Sequence, residues 1–211
     1  MTARPLKLAM PKGRVLDEAV TLFGKAGIDL TELQGKSRKL IFDVPKAELR
    51  IQVVRDADVP TYVEYGAADL GIAGRDVLEE QGRDLYEPLD LGIGRCRLSV
   101  AEPQQPVRHA DGDGNLRYAT KFPNLTRRYL EQRGIVADVI KLYGSIELAP
   151  LTGLADRIVD LVSSGETLKQ NKLRETDTLL EVTARLVVNR AALKLRRVPI
   201  EALLARLRTV V

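Results

Sequence analysis

The chain has 211 residues, 45% hydrophobic and 29% charged, with a net charge of +4. That is ordinary globular material, long enough to bury a core, and it excludes fibrous and low-complexity classes; no stretch approaches the ~20 apolar residues of a membrane span. One cysteine, Cys96, excludes an internal disulfide, and the N-terminal MTARPLKLAMPKGR has too short an apolar run for a secretion signal, so a cytoplasmic location is expected.

In chain order, Leu6 to Met10 reads as a buried strand broken by Pro11-Lys12-Gly13-Arg14. A helix follows, with Val15, Ala19, Leu22, Phe23 and Ala26 on one face and Gly27 as its stop. KLIFDV and ELRIQVV flank Pro45-Lys46-Ala47 as a hairpin, Val59 to Tyr65 is helical with Pro60 in its first turn, DLGIAG is a strand and RDVLEEQG a helix. LDLGIGRCRLSVA reads as extended chain crossing between domains, and QQPVRHADGDGN as a polar loop. LRYAT, a helix over Asn124 to Arg133, and ADVIKLYG make a strand–helix–strand unit, with RIVDLV as a third strand. TLLEVTARLVVN reads as one long strand, and Pro199 opens a last helix with Ile200, Leu203, Leu204 and Leu207 inside.

Strands alternating with helices imply an α/β fold with mixed, mainly parallel sheets. Two lobes are expected: residues 1–90 with 178–211, and residues 91–177. An internal echo supports the pairing. YGAADLGIAG carries Gly66-x-Ala68-Asp69, and TGLADRIVDLVSSG carries Gly153-x-Ala155-Asp156, although so short a match also arises by chance. Two related lobes facing each other would leave a ligand cleft between them.

RIVDLV empties into Ser163-Ser164-Gly165-Glu166-Thr167 before a helix, a good cradle for an anion. Free N–H groups at a helix start favour negative charge, glycine permits close approach, and hydroxyls add donors. Asp160, three residues before the loop, suits sugar hydroxyls or a share in holding Mg²⁺. The alternative needs no ligand: Ser163-x-x-Glu166 is also a capping box. Lys12-Gly13-Arg14 sets two cations at a second helix start, where the dipole opposes them, and Arg38 adds another before a strand; the plain readings are a solvated turn and a surface arginine. Two such loops fit a substrate with phosphate at both ends.

Other chemistries find little. His109, the only histidine, sits in a polar loop; there is no nucleophile elbow, no zinc ligand set, no Walker A loop and no G-x-G-x-x-G. From Arg185 onward seven basic residues face one acid, Glu201, which suits a solvated helix face or subunit contact better than nucleic acid, since no aromatic stacking platform is visible.

LAMPKGR, SRKLIF, RDADVPTYVEYGAADLGIAGRDVL, ATKFPNLTRRY, VIKLYGSIELAPLTGLADRIVDLVSSGETL and RLVVN together resemble the ATP phosphoribosyltransferase family, in its short form, over most of the chain. The resemblance implies a two-lobed fold like type II periplasmic binding proteins. It implies transfer of phosphoribosyl from phosphoribosyl pyrophosphate (PRPP) to N1 of the ATP adenine, the first step of histidine biosynthesis. Mg²⁺ is held mainly by substrate phosphates, with no protein ligand assigned. Ser163, Ser164, Gly165, Glu166 and Thr167 would wrap the 5′-phosphate, with Leu168 closing the turn. Asp160, with Glu147, would face the ribose. Arg14 and Arg38 would act on the leaving pyrophosphate, helped by Lys12 and Gly13, and Gly74 and Asp76 fall on the nucleotide side. A regulatory subunit resembling histidyl-tRNA synthetase and a homodimer within a hetero-oligomer are implied, with neither nucleic acid nor membrane as partner. Rival readings are a two-lobed sensor module without chemistry and a phosphoribosyltransferase for another base. The latter usually carries a paired-acid PRPP motif, where this chain has Asp160 alone.

Overall fold

The computed structural model describes residues 4–35, 38–105 and 115–211. Ser37 and the loop holding His109 lie outside the described residues. In chain order the elements begin β1 (Leu6–Pro11), α1 (Arg14–Lys25), β2 (Ile41–Val44), β3 (Leu49–Val54), α2 (Val59–Glu64), β4 (Leu70–Gly74), α3 (Arg75–Gln81) and β5 (Tyr86–Asp90). Then come β6 (Cys96–Pro103), β7 (Leu116–Thr120), α4 (Pro123–Gln132), β8 (Ala137–Lys141), α5 (Leu148–Leu151), β9 (Arg157–Val162) and α6 (Glu166–Gln170). The last are β10 (Leu173–Val182), β11 (Ala184–Val188), α7 (Arg190–Leu195) and α8 (Arg197–Arg208).

Contacts group the chain into two compact units: unit 1 is Met1–Leu78, Gly82–Gly94 and Thr183–Val211, and unit 2 is Glu79–Gln81 and Arg95–Val182. The sequence had put the borders at 90 and 177. They fall later because Leu91 and Ile93 exchange backbone hydrogen bonds with Ala184, and because β10 stays paired to β6 as far as Val182 opposite Cys96. TLLEVTARLVVN is therefore two strands. The chain leaves one sheet at Val182 and enters the other at Ala184.

Unit 1 holds a six-stranded sheet ordered β2-β3-β1-β4-β11-β5, and unit 2 a five-stranded sheet ordered β10-β6-β9-β7-β8. Both are mixed. The expected parallel majority does not hold: among the described residues β1 runs parallel to β3 and β4, and β7 to β8 and β9, while the other five pairs are antiparallel. The βα units make the parallel pairs, because each returns the chain through a helix. The hairpin at Pro45 and the crossing strands β5, β6, β10 and β11 do not.

Leu8, Ala9 and Met10 of β1 are fully buried, as expected of a strand covered on both faces. Helix α1 lays Leu16, Ala19, Val20, Leu22 and Phe23 into the core. It ends in a left-handed Gly27 (φ 74°), with the Ile28 N–H bonded to the Phe23 carbonyl. The Arg206 guanidinium of α8 then donates to the Ala26 and Gly27 carbonyls at 2.9 Å, satisfying the helix end. Helix α8 begins at Arg197, ahead of Pro199, and buries Ile200, Leu203, Leu204 and Leu207. Helix α7, which the sequence pattern did not separate, is capped by Asn189, whose side chain accepts from the Ala192 N–H.

The short sequence echo is a structural repeat. Gly66 and Gly153 both have positive φ, 71° and 73°. The Asp69 N–H donates to the Lys7 carbonyl at 2.9 Å, and its carboxylate accepts the Lys7 N–H at 2.8 Å. Asp156 does the same to Arg117, at 2.9 and 2.7 Å. In each unit this two-point clamp fixes the strand after the turn (β4, β9) parallel to the unit's first parallel strand (β1, β7).

Candidate functional site

Helix α6 opens at Glu166, with Gly165 as its N-cap at φ 79°, ψ 0° and no side-chain cap. The capping box anticipated at Ser163 does not form, because the left-handed glycine starts the helix two residues later than the box requires. The Ser164 hydroxyl instead accepts the Glu166 N–H at 3.3 Å. Ser163, Ser164, Glu166 and Thr167 are exposed, and Leu168 is buried beside Ile158, Val162 and Leu173, anchoring the turn from beneath. The hydroxyls and the helix start thus face outward at the C-terminal end of β9, where α/β sheets present their ligand-binding loops.

Asp160 is half-buried, and its carboxylate accepts the Leu161 N–H at 2.8 Å. Burial pushes its carboxyl above the usual range. The Leu161 hydrogen bond opposes that shift, the negative charge of Glu147 adds to it, and the positive charge of Lys121 opposes it. The charges of Glu147 and Lys121 thus both act on Asp160, and the sequence assigns Lys121 no role.

A further group it missed supports the loop from β6 and β10. Arg97 donates to both carboxylate oxygens of Glu175 at 2.5 Å and, more weakly, to the Ser163 carbonyl at 3.4 Å. The Ser99 hydroxyl donates to the same Glu175 at 2.7 Å. Arg97 holds the Glu175 carboxyl below its ordinary range. Only the cross-strand register brings these residues together, and it pairs Thr178 with Ser99 and Ser99 with Asp160.

In unit 1 the loop between β1 and α1 is built differently. Gly13 lies at φ 83°, ψ −151°, a region open essentially to glycine, and α1 has no side-chain cap. The Gly13 carbonyl accepts the Leu16 N–H at 2.9 Å, and the Lys12 N–H is fixed to the Val54 carbonyl at 3.1 Å. The Lys12 and Arg14 side chains are exposed. Arg14 lies 3.7 Å from Glu18 and donates to the Gly94 carbonyl at 3.4 Å, while Glu18 accepts the Gly94 N–H at 2.7 Å. Arg38 is exposed ahead of β2. Asp76, in the first turn of α3, is only 4% exposed, and a Cβ on Gly74 would collide with its carboxylate. These two residues thus form one packed corner.

Among the described residues no group of three or more His, Cys, Asp or Glu side chains gathers as a metal site, and no helix is long and apolar enough to cross a membrane.

A family model described as ATP phosphoribosyltransferase matches residues 55–209. The ATP phosphoribosyltransferase of Geobacter metallireducens is 58% identical over 191 residues, covering 90% of this chain and 90% of the relative. Among solved structures, the ATP phosphoribosyl transferase (HisG:HisZ) complex from Thermotoga maritima matches at 36% identity and a TM-score of 0.81, covering 97% of this chain and 98% of that chain. The alkanesulfonate-binding protein SsuA from Xanthomonas axonopodis pv. citri, 16% identical with a TM-score of 0.55, covers 99% of this chain and 73% of that one. At that identity the likeness is one of fold, and the fold is of the type II periplasmic binding-protein kind expected from the sequence.

Proposed function

The chain belongs to the ATP phosphoribosyltransferase family, and we propose on that premise that it joins ATP to PRPP as the short-form catalytic chain, opening histidine biosynthesis in the cytoplasm. Adenine N1 supplies a lone pair to the anomeric carbon. The bond from that carbon to the pyrophosphate oxygen breaks, its electron pair leaves with pyrophosphate, and phosphoribosyl-ATP forms. N1 needs no strong base to free its lone pair. The difficulty is charge, positive at the anomeric carbon and negative on the departing pyrophosphate.

The observation that carries this reading is the β9–α6 loop. A left-handed Gly165 leaves the Ser163, Ser164 and Thr167 side chains exposed at a helix start whose N-cap residue has no side chain, with the Ser164 hydroxyl accepting the Glu166 N–H at 3.3 Å. We assign the 5′-phosphate to Ser163, Ser164, Gly165, Glu166 and Thr167, with Leu168 as the buried anchor, and the ribose hydroxyls to Asp160 and Glu147. Arg14 and Arg38 stabilise the leaving pyrophosphate, aided by Lys12 and the Gly13 backbone. Gly74 and Asp76 serve the nucleotide side. Mg²⁺, held mainly by the substrate's phosphates, would supply charge neutralisation on the leaving group.

The solved Thermotoga maritima relative is a HisG:HisZ complex. The corresponding assembly for this chain is a homodimer within a hetero-oligomer, with a regulatory subunit resembling histidyl-tRNA synthetase. The test incubates the purified chain with ATP, PRPP, Mg²⁺ and a pyrophosphatase, with and without that subunit, and looks for phosphoribosyl-ATP by mass spectrometry. Adduct in either arm is the expected result; none in both would overturn the proposal in favour of a sensor module.

A further inference from the structure

We propose that Lys121, the residue after β7, is a positioning residue for the PRPP half of the reaction, a cation set at the end of the parallel β7–β9 pair beside Asp160, which accepts the ribose hydroxyls. The inference rests on the reading of Asp160 given above.

Three observations carry it. The first is register. Strand β7 runs parallel to β9 with Ala119 beside Ile158 and Thr120 beside Val159, where the pairing ends; the next residues of the two chains are Lys121 and Asp160. Side chains alternate along a strand. Ala119 and Ile158 share one core cluster with Leu168, so Asp160, two residues on within β9, lies on the face of the loop's anchor. The Thr120 hydroxyl fixes this register: it donates to the Val159 carbonyl at 2.7 Å and accepts the Phe122 N–H at 2.9 Å.

The second is the repeat. The Asp69 clamp on β1 and the Asp156 clamp on β7 make these two strands equivalent. The first residue after β1 is Lys12 and the first after β7 is Lys121, each just before a helix. A cation there opposes the helix dipole, so helix stability gives no reason for it.

The third is charge balance. Asp160 feels the negative charge of Glu147 at the start of α5 and the positive charge of Lys121 just after β7, and accepts the Leu161 N–H; the residue opposite it on β6, Ser99, is uncharged and bonded to Glu175. Lys121 is thus the cation acting on an acid that burial and Glu147 both drive toward its neutral form. A neutral Asp160 would offer a proton where ribose hydroxyls also bring protons.

The experiment measures kcat/KM for PRPP against pH, in the presence of the regulatory subunit, for wild type, Lys121→Met, Lys121→Arg, Asp160→Asn and Lys121→Met with Asp160→Asn. Calorimetric PRPP binding runs alongside. Removing the cation should move the acid limb of the Lys121→Met profile to higher pH and lower kcat/KM several-fold below that limb. Lys121→Arg should keep the wild-type profile. In the Asp160→Asn background Lys121→Met should add less than about twofold, because its target is gone. An unshifted acid limb, or a full additive loss in the double variant, overturns the proposal while leaving the Asp160 assignment intact. An Asp160→Asn protein that binds PRPP like wild type overturns both. Should Lys121→Met fail to fold, Lys121→Gln carries the same comparison.

Discussion

The two anion-suited loops are built by opposite means. After β1 the chain turns through a glycine-only conformation into a helix of 12 residues and presents two exposed cations, Lys12 and Arg14. After β9 it turns through a left-handed Gly165 into a helix of 5 residues and presents three exposed hydroxyl side chains and no cation within the turn itself. The difference follows the chemistry proposed for each. The ribose 5′-phosphate is the same before and after reaction, so its loop has only to bind it uniformly. Pyrophosphate gains charge as it leaves, and fixed cations aimed at that change lower the barrier itself.

That division can be broken most directly at Arg14. Arg14→Ala is expected to lower kcat on the order of 10²-fold, as for loss of one transition-state donor, with a much smaller change in the PRPP dissociation constant. Single-turnover rates and calorimetric binding separate the two. A defect confined to binding would return Arg14 to the role of a passive anion contact.

The turns themselves give the next contrast. Alanine at position 13 must take up φ 83°, ψ −151°, in a region that costs about 2 kcal/mol, whereas alanine at 165 meets only the left-handed penalty of about 1 kcal/mol. Neither added Cβ meets an atom closer than 3.9 Å, so the cost is backbone strain alone. Thermal unfolding should place Gly13→Ala about twice as far below wild type as Gly165→Ala. Equal shifts would mean the β1 loop relaxes to another conformation.

How legible these features were in the sequence depended on how local their causes are. Lys12-Gly13-Arg14 after an apolar run announces a strand–turn–helix by itself, and so does Gly27 at the end of α1. The Gly-x-Ala-Asp turns were legible as a pattern, but their purpose appears only when each aspartate meets the backbone of Lys7 or Arg117. The end of β10 was illegible, because both halves of TLLEVTARLVVN have the same branched, alternating character. Pairing of Val182 with Cys96 and of Ala184 with Gly74 is what divides them. The capping box misled for a related reason: its spacing was right, but the position of the helix start is set by the backbone of Gly165. Lys121 and Arg97 lie outside the motif altogether and reach it through strand register, which no single segment encodes.

The smallest expected effect tests the hydroxyl loop on its own terms. Thr167→Val keeps the branched shape and removes one donor, and Thr167 is exposed, so the fold should not register the change. A lost hydrogen bond of about 1 kcal/mol should raise KM for PRPP about fivefold. If the 5′-phosphate is bound equally in ground and transition states, the loss falls on KM and leaves kcat near wild type, the reverse of Arg14→Ala. A fall in kcat instead would mean that this loop tightens on the phosphate as the anomeric bond breaks. The phosphate end would then share the transition-state stabilisation now assigned to the cations of the β1 loop.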